Sequence, residues 1–93
     1  MNSGIYAIVN VDTGYVYVGS STEMEIRAER HFHLLEQDQH SNSKLQYDFW
    51  HHPDRFMWQI LENVPNKDRL AESEEIWIRR MKRKYNVFEH PVR

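Results

Sequence analysis

The chain has no cysteine. Disulfides, thiolate metal sites and a cysteine nucleophile are excluded together, and the composition suits a reducing cytoplasm, that of a bacterial or phage-infected cell. No apolar run approaches the roughly 20 residues that a membrane span needs, so no membrane partner is expected. The opening MNSGIYAIVNV lacks the basic start and long apolar stretch of a signal peptide. Repeats, low-complexity segments and linkers are missing too. Nor is there an excess of positive charge: the net charge is −2 and the pI about 6.3, which argues against strong electrostatic binding of nucleic acid by this chain alone. What remains is ordinary for one small globular domain of 93 residues, 40% hydrophobic, 28% charged and 13% aromatic.

Ile5 to Val11 and Tyr15 to Ser20 are rich in β-branched residues and flank the turn cluster Asp12-Thr13-Gly14, predicting a β-hairpin. A loop of two or four residues would put Tyr6 and Tyr17 on one face, with Ile5 and Val18 on the other; a three-residue loop would separate the tyrosines. A helix follows, with Thr22 as N-cap and Glu25 completing a capping box. Met24, Ala28, Phe32 and Leu35 form its stripe, flanked by Arg27, His31 and Leu34. The helix fades near Gln37, and a polar stretch leads to a short helix from Ser43 to Trp50, which His51-His52-Pro53-Asp54 ends. Phe56 to Glu62 alternates as a third strand. Asn66 then caps a long helix from Lys67 to Lys84 with Leu70, Trp77, Ile78 and Met81 in its stripe, and Tyr85-Asn86-Val87-Phe88 is an extended tail. The order ββααβα predicts an α+β fold, a small three-stranded antiparallel sheet flanked by helices.

Glu74 stands out on the last helix. With Leu70 at 0°, it falls near about 40°, inside the apolar stripe, while Glu75 lies near about 140° and Glu72 near about 200°. A carboxylate aimed into a core is costly unless it is paired or binds a metal. A stripe-edge glutamate reaching water, or one paired with arginine, is an equally good account from periodicity alone. The six histidines show no familiar zinc spacing. His31, beside Arg27 on a buried border, and His40 are better candidates than the solvated His33 or the helix-ending His51-His52. Two tyrosine hydroxyls on one hairpin face, Tyr6 and Tyr17, would be unusual. The basic run from Arg79 to Lys84 reads either as cations at a helix C-terminus or as a phosphate-tracking surface.

Gly4-Ile5-Tyr6, a turn, then Tyr17-Val18-Gly19 resembles the two-part motif of the GIY-YIG nuclease family. The rest follows in order: Arg27 and His31 as its Arg-x-x-x-His, His40 and the Lys44-Leu45-Gln46 segment, the third strand, Glu74 three residues before Trp77-Ile78, and Tyr85-Asn86 at the close. The resemblance covers essentially the whole chain. Val18 replaces the more usual isoleucine, and the segment before Tyr85 is slightly short.

The resemblance implies hydrolysis of DNA phosphodiesters with one Mg²⁺ or Mn²⁺ held by Glu74. It implies catalytic roles for Tyr6, Tyr17, Arg27, His31, His40, Glu74 and Asn86. Arg27 would bind a non-bridging oxygen, Tyr6 with support from Tyr17 would orient or deprotonate the attacking water, His31 or His40 would accept that proton or bind phosphate, and Asn86 would position groups near Glu74. DNA contacts are expected from Arg27, Arg30, Lys44, Arg79, Arg80, Lys82, Arg83 and Lys84. In the homing-endonuclease relatives a separate region supplies affinity and site choice, so a separate DNA-binding domain or partner is expected for this weakly binding domain. The alternative is a non-catalytic DNA- or protein-binding module on the same fold; the intact set of motif residues counts against it.

Overall fold

The computed structural model describes residues 2–86. Strand β1 spans Gly4–Asn10 and strand β2 Val16–Ser21. The helices α1 (Met24–Glu36) and α2 (Ser43–His51) follow, then strand β3 (Phe56–Asn63) and helix α3 (Leu70–Arg80). The sheet is antiparallel in the order β2-β1-β3. β1 is therefore the central strand, covered on both faces, which is why GIYAIVN is buried almost without alternation. The expected α+β architecture is present. Among the described residues no helix is long and apolar enough to cross a membrane.

The hairpin loop is of the even kind. Asn10 N–H donates to the Tyr15 carbonyl, leaving four residues in the loop, with Gly14 at φ 81°. The Asn10 carboxamide organises the turn by accepting from the Asp12 and Thr13 amides. In this register Ile8 opposes Tyr17 and Tyr6 opposes Gly19, so the two tyrosines share a face. Helices α1 and α2 cover that face, with Tyr6, Ile8, Met24, Ala28, Leu35, Leu45, Phe49 and Tyr85 as its buried cluster. The other face carries Ile5, Ala7, Val16 and Val18 and packs on Val64 and on Ile78 of α3.

Two expectations about helix ends are corrected. Thr22 and Glu25 make no capping box: Glu23 is the N-cap residue of α1 and its side chain makes no capping bond. The Asn2 carbonyl accepts from the Met24 amide instead, so the segment before β1 satisfies the helix start. The last helix does not run from Lys67 to Lys84. Asn66 caps a 3₁₀ turn at Lys67–Arg69, and α3 itself ends at Arg80. Met81 turns extended because the chain is drawn back to the sheet: Val16 N–H donates to the Arg83 carbonyl and Tyr85 N–H to the Val16 carbonyl. The Lys84 ammonium closes the helix end by donating to the Ile78 carbonyl at 2.9 Å. Of the expected tail, Tyr85 is buried against the sheet, while Val87 and Phe88 lie outside the described residues.

Candidate active site

The polar groups of the site gather at the outer strand, β2, around Gly19 and Ser20. Opposite Gly19, the Tyr6 side chain lies across the glycine, where an added Cβ would stand 2.5 Å from the tyrosine oxygen. Gly4 is required for a similar reason: a Cβ there would collide with the Glu62 carbonyl beside the irregularity in the β1–β3 ladder. Both glycines of the motif thus make room for close approach, one of a side chain and one of a neighbouring backbone.

Tyr6 is almost fully buried, yet its hydroxyl is hydrogen-bonded at 2.7 Å to His31 Nε2. His31 Nδ1 pairs with His40 Nε2 at 2.8 Å, and His40 Nδ1 accepts from the Asn42 amide at 3.0 Å. The two imidazoles stack with centroids 5.1 Å apart, and the Tyr17 ring meets both edge-on. The polar loop after α1 is held in place by Gln46, which accepts from the His40 amide and donates to the Leu35 carbonyl. Burial pushes the Tyr6 phenol well above its usual range; the nearby Arg27 charge opposes that rise, and the Tyr17 and Glu74 charges add to it. Tyr17 is raised by burial and then by Glu74. Burial lowers both histidines, His31 to about 4 with His40, Arg27 and Arg30 contributing, so both are neutral at pH 7.

Glu74 comes from the opposite side. It is half-buried on α3, and the Ser20 hydroxyl donates a hydrogen bond to its Oε1. Ser20 pairs with Ile5 and shares the α3-covered face. Tyr6 and Glu74 therefore bear on adjacent residues of one edge strand, from its two faces. The helical wheel placed Glu74 within the stripe but could not name its partner. Ser20 was missed, although strand parity with Ile5 and Val18 is a signal that could have found it. Glu75 points elsewhere and pairs with Arg79 at 2.8 Å. Among the described residues no three His, Asp or Glu side chains form a metal cluster. One carboxylate with a hydroxyl beside it is nonetheless a hard-oxygen set of the sort Mg²⁺ accepts, since that ion keeps most of its waters and takes the rest from substrate phosphate.

Asn86, expected to position groups near Glu74, acts on β2 two residues from Ser20. Its carboxamide is engaged with the main chain of Val18, accepting from the amide at 2.8 Å and donating to the carbonyl at 2.9 Å. The basic positions are distributed rather than aligned. Arg27 and Arg30 lie exposed on α1, and Lys44 on α2 is 3.8 Å from Asp48 and packs over the Tyr15 ring. The run from Arg79 to Lys84 is broken by the end of α3: Arg80 packs over Trp77, Arg83 donates to the Thr13 carbonyl, Lys84 is turned onto Ile78, and Lys82 is exposed.

Residues 2–86 match the family model described as the GIY-YIG catalytic domain. The chain belongs to the GIY-YIG family. It is 45% identical over 89 residues to Intron-associated endonuclease 1 of Enterobacteria phage T4, a match covering 95% of this chain and 36% of that protein. This chain thus spans little more than a third of that relative. The catalytic domain of homing endonuclease I-TevI superposes with a TM-score of 0.87 at 41% identity, covering 94% of this chain and 99% of that structure. A mutant of the catalytic domain of intron endonuclease I-TevI gives the same TM-score at 40% identity, over 97% of each chain. The GIY-YIG chain described here is accordingly a nuclease catalytic domain. GIY-YIG nucleases generally depend on a divalent metal ion.

Proposed function

We propose that this GIY-YIG domain hydrolyses DNA phosphodiester bonds with a divalent cation, Mg²⁺ or Mn²⁺, held by Glu74. The observation that carries the reading is the convergence of Tyr6, with His31 on its oxygen, and of Glu74 on the neighbouring residues Gly19 and Ser20. Glu74 would hold that cation, which when bound would supply Lewis-acid stabilisation of the scissile phosphate and the departing 3′ oxygen. Water forms the new bond to phosphorus as the bond to the 3′ oxygen breaks, leaving a 5′ phosphate and a 3′ hydroxyl. Tyr6 orients that water and takes its proton when ionised, with Tyr17 supporting it; burial makes ionisation difficult and the Arg27 guanidinium makes it easier. The exposed part of Arg27 is available for a non-bridging phosphate oxygen. Ser20 orients the Glu74 carboxylate, and Asn86 serves by holding β2, and with it Tyr17 and Gly19, in register.

DNA is the proposed partner, tracked by Arg27, Arg30 and Lys44, with Arg79, Arg80, Lys82, Arg83 and Lys84 contributing on the α3 side. With a net charge of −2 the domain holds DNA weakly, and a separate DNA-binding domain or partner supplies affinity and site choice. The test is cleavage of supercoiled plasmid at high protein concentration with Mg²⁺, Mn²⁺ or EDTA, beside Glu74→Ala. Metal-dependent nicking that the variant lacks is the expected result. Cleavage surviving in Glu74→Ala would remove the metal assignment. Silence of the native chain even when fused to a DNA-binding domain would favour a non-catalytic module.

A further inference from the structure

The hydrogen bonds that end on Tyr6 have a direction, and it is set at the far end. A main-chain amide can only donate, so His40 Nδ1, 3.0 Å from the Asn42 nitrogen, must be the unprotonated nitrogen of its ring. A neutral His40 then carries its proton on Nε2, which faces His31 Nδ1 at 2.8 Å. His31 Nδ1 must accept, so its own proton sits on Nε2, facing the Tyr6 oxygen at 2.7 Å. We propose that the Asn42 amide fixes the tautomers of both histidines, making His31 an N–H donor to the Tyr6 oxygen and His40 a positioning residue that acts through His31.

This changes the part His31 plays. With a proton already on Nε2, it cannot take the Tyr6 proton. It holds the phenolate instead, and the positive charge of the Arg27 guanidinium acts in the same sense. Both groups are in place before any substrate arrives, so the developing charge on Tyr6 meets partners that need no reorientation. The neutral state of both rings agrees with this, since burial depresses each. Gln46 completes the arrangement by fixing the His40 main chain through its amide. The tautomers stand independently of any catalytic role; their consequence for cleavage rests on the reading of Tyr6 as the residue at the attacking water.

The deciding measurement is a long-range ¹H–¹⁵N correlation spectrum of the ¹⁵N-histidine-labelled full chain at pH 7, with signals assigned by single-histidine variants. Neutral His31 and His40, each protonated on Nε2, are expected. A proton on Nδ1 of either ring, or two protons on either, would overturn the proposal. The effect on His31 is read in His40→Ala and His40→Gln. Loss of the donor in His40→Ala should release His31 into a mixture of tautomers, and the glutamine amide, lying near the former Nε2 position, should restore the Nε2–H form. If His31 stays Nε2–H in His40→Ala, His40 does not position it. Should either variant fail to fold, the native spectrum alone decides.

In cleavage, the alkaline rise of the rate should move up by about one pH unit in His40→Ala and return in His40→Gln, the size expected for losing one hydrogen bond to an ionised group. The charged and titratable groups facing Tyr6 are Arg27 and His31 from α1, Tyr17 from β2 and Glu74 from α3, with Arg30 and His40 acting on His31. All are retained in both variants except His40. An unmoved profile would overturn the catalytic consequence while leaving the tautomers intact. A chain without nuclease activity would sink the proposed function and leave the spectrum to judge the tautomers.

Discussion

Tyr6 occupies the volume that a side chain at Gly19 would need. The two residues are direct partners across the β1–β2 ladder, and a Cβ on Gly19 would lie 2.5 Å from the tyrosine oxygen and 2.6 Å from the ring carbon that bears it. The Gly-Ile-Tyr and Tyr-Val-Gly halves of the motif are therefore one steric unit: the tyrosine of the first fits because the second ends in glycine.

Gly19→Ala should push the Tyr6 ring away and break its 2.7 Å bond to His31. Overpacking of this kind costs about 1–3 kcal/mol. Thermal unfolding should show that loss, and plasmid nicking should fall by more than the stability change accounts for. Wild-type nicking in the alanine variant would mean that the position of the Tyr6 hydroxyl is immaterial.

The Ser20 hydroxyl donates to the Glu74 carboxylate, so if Glu74 holds the cation as proposed, Ser20→Ala should weaken metal binding rather than abolish it. Loss of a group that orients a metal ligand typically costs 10- to 100-fold in affinity or activity. Titration of the nicking rate with Mn²⁺ should show a higher half-saturating concentration and a nearly unchanged plateau. Glu75→Ala, which loses only an exposed pair with Arg79, should leave the titration unchanged.

Asn86 stands in for one more residue of a strand, filling both hydrogen-bonding groups of Val18 on the outer edge of β2. Asn86→Ala leaves a largely buried amide and carbonyl without partners, at a cost of about 1–3 kcal/mol. Asn86→Asp retains the acceptor for the Val18 amide but sets a carboxylate against the Val18 carbonyl. Urea unfolding should find both variants destabilised, and hydrogen exchange should find β2 less protected. Full stability in Asn86→Ala would rule out the strap.

Acid should unfold this domain through its histidines. His31 has its pKa lowered from the ordinary value to about 4, chiefly by burial, and His40 is lowered as well. The unfolded chain then binds more protons than the folded one between pH 4 and 6.5, so stability is complete above about 6.5 and falls as the pH drops toward 4. Urea midpoints measured across that window should decline, and His31→Phe should flatten the slope. An equal slope in that variant would assign the acid sensitivity to other groups.

Local periodicity carried the sequence reading a long way. β-Branched enrichment on either side of Asp12-Thr13-Gly14 gave both hairpin strands, while the four-residue loop of the structure decided that Tyr6 and Tyr17 share a face. The stripe on the last helix singled out Glu74, because a carboxylate among Leu70, Trp77 and Ile78 is visible from spacing alone. Helix ends were read less well. Nothing near Thr22 in sequence announces that the Asn2 carbonyl satisfies the start of α1, and nothing in the basic run announces that the chain leaves the helix at Met81 to pair with Val16.

The sequence by itself determined the kinds of elements, their order and the side chains able to do chemistry, since these follow from neighbours three, four or two residues apart. Only the tertiary structure decided what those side chains meet. Tyr6 reaches His31 across 25 positions of sequence, Ser20 reaches Glu74 across 54, and Val18 reaches Asn86 across 68. Such contacts depend on β1 lying at the centre of the sheet and on helices docking against both of its faces. That arrangement is chosen by burial of the whole core, and no local pattern encodes it.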